Sequence, residues 1–98
     1  MQYLIKAYDG DNTLEKRMAV RPKHLENIAK MMEHVICAGG LLDEEGSMIG
    51  SVLIMKFDDR VQLDNYLHTE PYLTEKVWEK VEIEPMNVVV LDGKKIGS

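Results

Sequence analysis

The sequence predicts an α+β domain with the element order βαββαβ, and three observations predict it. Short runs of β-favouring residues alternate with two segments of helical period. Glycine, proline and paired acidic residues punctuate the boundaries between them. The most apolar run, 48–57 (MIGSVLIMKF), reads as a central strand because it offers apolar groups to both sides.

The first strand is expected over 2–8 (QYLIKAY), ending at the turn-forming Asp9, Gly10, Asp11 and Asn12. Residues 13–38 follow, with Leu14, Met18, Leu25, Ile28, Met32 and Ile36 at helical spacing, and Gly39-Gly40 ends the run as glycine ends many helices. Pro22 argues for a break. Inside a helix a proline removes a hydrogen bond and crowds the preceding turn, whereas at the first helical position it costs little. The expectation is therefore a short helix over 13–20 and a main helix over 22–37. A second strand is expected over 40–45, a turn at Gly46-Ser47, and the third strand over 48–57. Asp58-Asp59 cap a helix over 59–68, with Val61, Leu63, Tyr66 and Leu67 inward. A break at Thr69, Glu70 and Pro71 leads into a helical turn over 71–78. The last strand falls within 79–91, where Pro85 marks an edge or a bulge, and 92–98 are expected as a frayed tail.

That order is the ferredoxin-like plan: one domain, 1–98, with a four-stranded antiparallel sheet and both helices on one face. The run 52–55 is apolar on both sides, and no further element remains to cover the second sheet face. A second copy of the chain is the expected cover, giving a homodimeric α+β barrel.

Twelve basic residues stand against seventeen acidic ones, a net charge of −5, and the basic residues are interleaved with acids. Nucleic acid and anionic membranes need a clustered positive surface, so neither is expected as a partner. No apolar run approaches the roughly 20 residues of a membrane span. The start MQYLIKAYDG lacks the plan of a signal peptide, so a cytoplasmic location is expected. The one cysteine, Cys37, lies in an apolar stretch and is expected in the core.

His24, His34 and His68 are not at the i, i+4 spacing of a helical metal pair, and there is no phosphate loop, dinucleotide fingerprint or nucleophile elbow. No metal or cofactor is expected. What remains is an acid–histidine pair made by the fold. Asp9 ends the first strand, and a main helix starting at Pro22 would bring His24 back to the same end of the sheet. A carboxylate that orients one imidazole nitrogen and leaves the other free is a common acid/base arrangement. The plainer reading makes Asp9 a turn cap and His24 a surface residue. Arg17, Arg21 and His24 share one face if the helix is continuous, and crowd one loop if it breaks. Arginines beside a histidine suit an anionic ligand, or else pair with Glu15 and Glu26. Gly50-Ser51 interrupts the apolar third strand, as glycine does where a ligand or another backbone comes close. Tyr72 is expected half-buried, with its hydroxyl at the rim.

These residues carry a resemblance. Residues 3–9, the run Asn12, Thr13, Leu14, Glu15, Lys16 and Arg17, then Arg21, His24-Leu25, Gly39-Gly40-Leu41-Leu42, Gly50-Ser51, Pro71-Tyr72 and Glu82-Ile83-Glu84-Pro85 resemble the YCII-related (YciI-like) family. The resemblance covers nearly the whole chain. It implies a dimeric α+β barrel whose pocket holds a His–Asp pair, here His24 and Asp9, as an acid/base centre. One branch of that family looks like dehydrochlorinases acting on chlorinated hydroxyquinols. Two positions depart from the family: Glu70 stands where Asp is more common, and Met86 where an aromatic often follows the proline.

The functional expectation is a cofactor-independent enzyme of lyase, isomerase or dehydrochlorinase type. His24, oriented by Asp9, moves a proton on a small polar or anionic molecule, aromatic ones included. Arg21 binds its charge, and Gly50, Ser51 and Tyr72 position it. The alternative is a dimeric small-molecule-binding or regulatory module that uses the same pocket without chemistry.

Overall fold

A computed structural model of the chain describes residues 1–97. Alternation along the first strand decides which side of the sheet is buried. In β1 (Gln2–Asp9) the side chains of Tyr3, Ile5 and Ala7 are buried, while Gln2, Leu4, Lys6 and Tyr8 turn to the other face. Each buried residue pairs with a partner on β3 (Met48–Lys56): Tyr3 lies opposite Met55, Ile5 opposite Leu53 and Ala7 opposite Ser51, and all are buried. Removing a side chain such as Ile5 or Leu53 from water contributes about 1.5–3 kcal/mol.

β2 (Val35–Leu42) and β4 (Trp78–Met86) complete a four-stranded antiparallel sheet in the order β2-β3-β1-β4. α1 (Leu14–Lys30), α2 (Arg60–Leu67) and the single turn α3 (Pro71–Thr74) pack on the face that carries Tyr3, Ile5, Leu53 and Met55. The fold is ferredoxin-like α+β. Asp59 caps α2 by accepting the Gln62 N–H at 3.0 Å. β4 is an edge strand, which explains how it accommodates Pro85.

The expected break at Pro22 is absent: α1 runs unbroken from Leu14 to Lys30 with Pro22 inside it. Both Pro22 and Met18 are exposed, so the Met18 carbonyl that loses its i+4 donor can be served by water. The helix also ends earlier than its apolar period suggests. A 3-10 turn over Met32–His34 follows, and Val35, Ile36 and Cys37 already belong to β2. Met32 and Ile36 continued the period by coincidence, and the β-branched residues decide the segment. Gly39-Gly40 therefore stops no helix. It lies in mid-strand, where a Cβ on Gly40 would strike the Met48 sulfur. The second strand is thus Val35–Leu42, not 40–45. Cys37 is exposed on this edge strand instead of buried.

The segment 92–97, expected to fray, turns back at Asp92 and Gly93 (φ 52° and 72°), and pairs β6 (Lys94–Lys95) with β5 (Val90–Leu91). Paired positive φ values are the signature of a tight hairpin turn. Ser98 lies outside the described residues.

A helix that runs through Pro22 should gain from its removal. Pro22→Ala restores a donor for Met18 and relieves ring crowding, so unfolding in urea should show a gain of about 1–3 kcal/mol. An unchanged midpoint would mean that the proline imposes no strain on α1.

Candidate active site

The unbroken helix sets the site. Arg17, Arg21 and His24 stand at i, i+4 and i+7, so they share one face of α1. That face borders a cavity of about 310 Å³ walled on the sheet side by Ser51, Leu53 and Gly40 and closed by Tyr72. Ala38 and Gly39 of β2 also line it, and the absence of bulk on this strand keeps the space open.

His24 lies ten positions after Leu14, about 15 Å along the axis, too far down the helix to meet Asp9 at the end of β1. Its partner is Glu70. His24 Nδ1 is 2.5 Å from Glu70 Oε1. Glu70, 0% exposed, also accepts the Tyr66 hydroxyl at 2.6 Å and the Tyr72 backbone N–H at 3.3 Å. With two other donors on the carboxylate, the His24 contact is read as Nδ1–H donating to it, which leaves Nε2 with no protein partner among the described residues. The His24 ring stacks on Tyr72, centroids 4.2 Å apart and planes 17° from parallel.

Asp9 binds Arg17 instead. Nη1 of Arg17 donates to both Asp9 carboxylate oxygens at 3.0 Å, and both side chains are buried. Nη2 donates to Ser51 Oγ at 2.9 Å, Trp78 Nε1 donates to the same oxygen at 3.3 Å, and the guanidinium carbon lies 4.5 Å from the centroid of the Tyr72 ring. Burial pushes the Asp9 carboxyl above its ordinary value, against the pull of Arg17. Arg21 is exposed at the rim and has no carboxylate partner among the described residues.

The structure thus gathers His24, Arg21, Ser51 and Tyr72 around one cavity and places Asp9 behind Arg17, outside it. Gly50 does not line the cavity. A Cβ there would run into the Ala7 carbonyl, so its glycine answers the close approach of β1. Tyr72 is buried more deeply than expected, at 1% exposure. Sequence reasoning missed Glu70, Tyr66 and Trp78 as members of the site. The signal for Glu70 was its unusual identity before Pro71-Tyr72; Tyr66 read only as an inward helix residue, and nothing local marked Trp78.

Residues 1–87 match the sequence model of the YCII-related domain. The chain belongs to the YCII-related family. An uncharacterised protein of Haemophilus influenzae is 32% identical over 97 residues, spanning 91% of this chain and 99% of that protein. Protein YciI of Escherichia coli is 29% identical over the same shares. Among solved structures, the 5-chloro-2-hydroxyhydroquinone dehydrochlorinase of Burkholderia phenoliruptrix, in complex with 2,5-dihydroxybenzoquinone, superimposes with a TM-score of 0.82 at 20% identity. The match covers 89% of this YCII-related chain and 94% of that one, and it shows a shared fold. Glu70, which the resemblance marked as a departure, is the carboxylate that His24 contacts.

Two tyrosines make the site sensitive to alkali. Burial and the Glu70 carboxylate push the Tyr66 phenol far above its ordinary value, and burial raises that of Tyr72 against the opposing pull of Arg17 and Arg21. Unfolded tyrosine ionises near about pH 10. Above that, the folded chain holds protons that the unfolded chain has lost, so stability falls as pH rises, by about 1.4 kcal/mol per pH unit for each such group. Urea midpoints compared at about pH 9 and about pH 11 should show this decline, flatter in Tyr66→Phe. Equal slopes in the two proteins would mean that Tyr66 ionises in the folded state.

Proposed function

We propose that the protein is a cofactor-independent acid/base enzyme in which His24 Nε2 moves a proton on a small planar, anionic molecule. The observation that carries this reading is the His24–Glu70 contact. A carboxylate with no solvent exposure holds Nδ1, and the opposite nitrogen of a cavity-lining ring is left without a partner among the described residues. Glu70 takes the orienting part that sequence reasoning gave to Asp9. Asp9 acts one step removed, by fixing Arg17 beneath Tyr72 and Ser51. Arg21 supplies a positive charge at the rim, and Tyr72, stacked on the His24 ring, holds that ring in place beside the cavity. A space of about 310 Å³ accommodates a molecule of one ring. The fold shared with a dehydrochlorinase that binds 2,5-dihydroxybenzoquinone supports the same class of substrate.

Solvent-deuterium exchange into hydroxyquinols and β-dicarbonyl acids, followed by NMR, tests the proton-transfer step by itself. The native chain should catalyse exchange into at least one of them, and His24→Gln should lower the rate by about 10²–10⁴-fold. A compound that binds in the cavity but exchanges no faster than in buffer would instead make the chain a binding module.

A homodimer belongs to the same proposal. On the sheet face away from the helices, Leu4 lies opposite Ile54 and Lys6 opposite Val52. All four are only partly buried, and Lys6, Glu82 and Glu84 bring both signs of charge to that face. A second copy covers such a face with matched apolar and charged groups. Sedimentation should give twice the 11.2 kDa chain mass, and Ile54→Asp should return the monomer. A native chain that sediments as a folded monomer would remove the dimer from the proposal.

A further inference from the structure

The hydroxyl of Ser51 has its lone pairs spoken for. It accepts from Arg17 Nη2 at 2.9 Å and from Trp78 Nε1 at 3.3 Å, and a serine oxygen has two acceptor sites and one proton. Its own O–H finds no acceptor among the described residues. Ser51 is 4% exposed, and what exposure it has is to the cavity it lines. Tyr72, at 1% exposure, differs: its ring is held between His24 and Arg17, and its hydroxyl has no partner among the described residues, so it can donate or accept. Both Ser51 and Tyr72 border the cavity that Arg21 enters from the rim. Burial keeps the Tyr72 phenol in its protonated form at neutral pH.

We infer that Ser51 is locked as a hydrogen-bond donor toward the cavity, and that beside the guanidinium of Arg21 it favours ligands presenting acceptor oxygens to that edge of the site. The class so defined is an oxyanion with two oxygens on one edge, a carboxylate or a paired enolate and carbonyl. A ligand group that donates would face the Ser51 O–H and leave it unpaired in a buried place, which counts against its binding. Trp78 is the residue that makes this selective. Without its N–H, one Ser51 lone pair is free, and the hydroxyl can accept as well as donate. The inference rests on the cavity being the ligand site of the proposed enzyme, but it does not depend on His24 moving a proton.

Benzoate and benzamidine test it, because the two share a ring and a planar two-atom head but present acceptors only and donors only. In NMR titrations of the full chain, benzoate should give saturable shifts at Ser51 and Tyr72. Benzamidine should bind more weakly by about tenfold or more, the scale of one hydrogen bond to a charged group. Coulomb attraction to Arg21 alone would also favour benzoate, so the variants decide. Ser51→Ala should reduce the benzoate preference several-fold. Trp78→Phe, which keeps the Ser51–Arg17 bond, should reduce it by weakening benzoate less than it strengthens benzamidine, and it serves if Ser51→Ala does not fold. A preference unchanged in Trp78→Phe, equal binding of the two probes, or no saturable shifts with benzoate would each overturn the inference. His24→Gln should retain the preference, so a failure of the acid/base reading is read separately from a failure of the Ser51 donor.

Discussion

The buried Arg17–Asp9 pair is the contact on which the site depends. From one position on α1 the guanidinium reaches the end of β1 through Asp9, β3 through Ser51 and the ring of Tyr72 in α3, while Trp78 of β4 meets it at the shared serine. A charge buried this far is tolerated only when paired. Removing one partner of such a pair typically costs about 3–5 kcal/mol, because the other is left uncompensated. Asp9 is therefore held at a distance from the cavity by the fold, and the charge of Arg17 is already neutralised before any ligand arrives. Arg21, one turn further along the helix, lines the same cavity without a carboxylate partner among the described residues.

Continuity of α1 through Pro22 has consequences beyond the helix. Residues four and seven positions apart on one helix are separated by about 6 and 10 Å along the axis, so Arg17, Arg21 and His24 form a graded row from the sheet end to the cavity's far wall. Each meets a different neighbour: Arg17 meets Asp9, Arg21 meets solvent and His24 meets Glu70. A break before Pro22 would have moved His24 to the top of the row and paired it with Asp9. The helix keeps the proline because the Met18 carbonyl that it leaves without a donor lies on an exposed stretch of the helix. Glu70, by contrast, is tied by its place at the start of α3, where it caps the turn while holding the imidazole.

The second strand shows how close the competing readings of a sequence can be. Met32 and Ile36 fit a helical period, and only the β-branched Val35-Ile36 pair speaks for a strand. The glycines that read as a helix stop instead thin the wall of the cavity, with Gly40 packed against Met48. Gly50 does mark a place of close approach, but what approaches is the Ala7 carbonyl, not a ligand.

Local chemistry determined much of this protein without any structure. The β-favouring run 2–8 with its turn at Asp9 to Asn12, the apolar third strand, the cap at Asp59 and the edge proline at Pro85 are all properties of neighbours within a few residues, and together they dictate the βαββαβ order. The same local reading marked His24, Arg21, Ser51 and Tyr72 as chemically suited to one site. Tertiary structure alone decided which acid meets which base. Asp9 and Glu70 are both carboxylates separated from His24 by long stretches of chain, 15 and 46 residues, and no pattern of spacing ranks them. The choice follows from where an unbroken helix sets its side chains against the sheet and α3, and that depends on the packing of the whole domain.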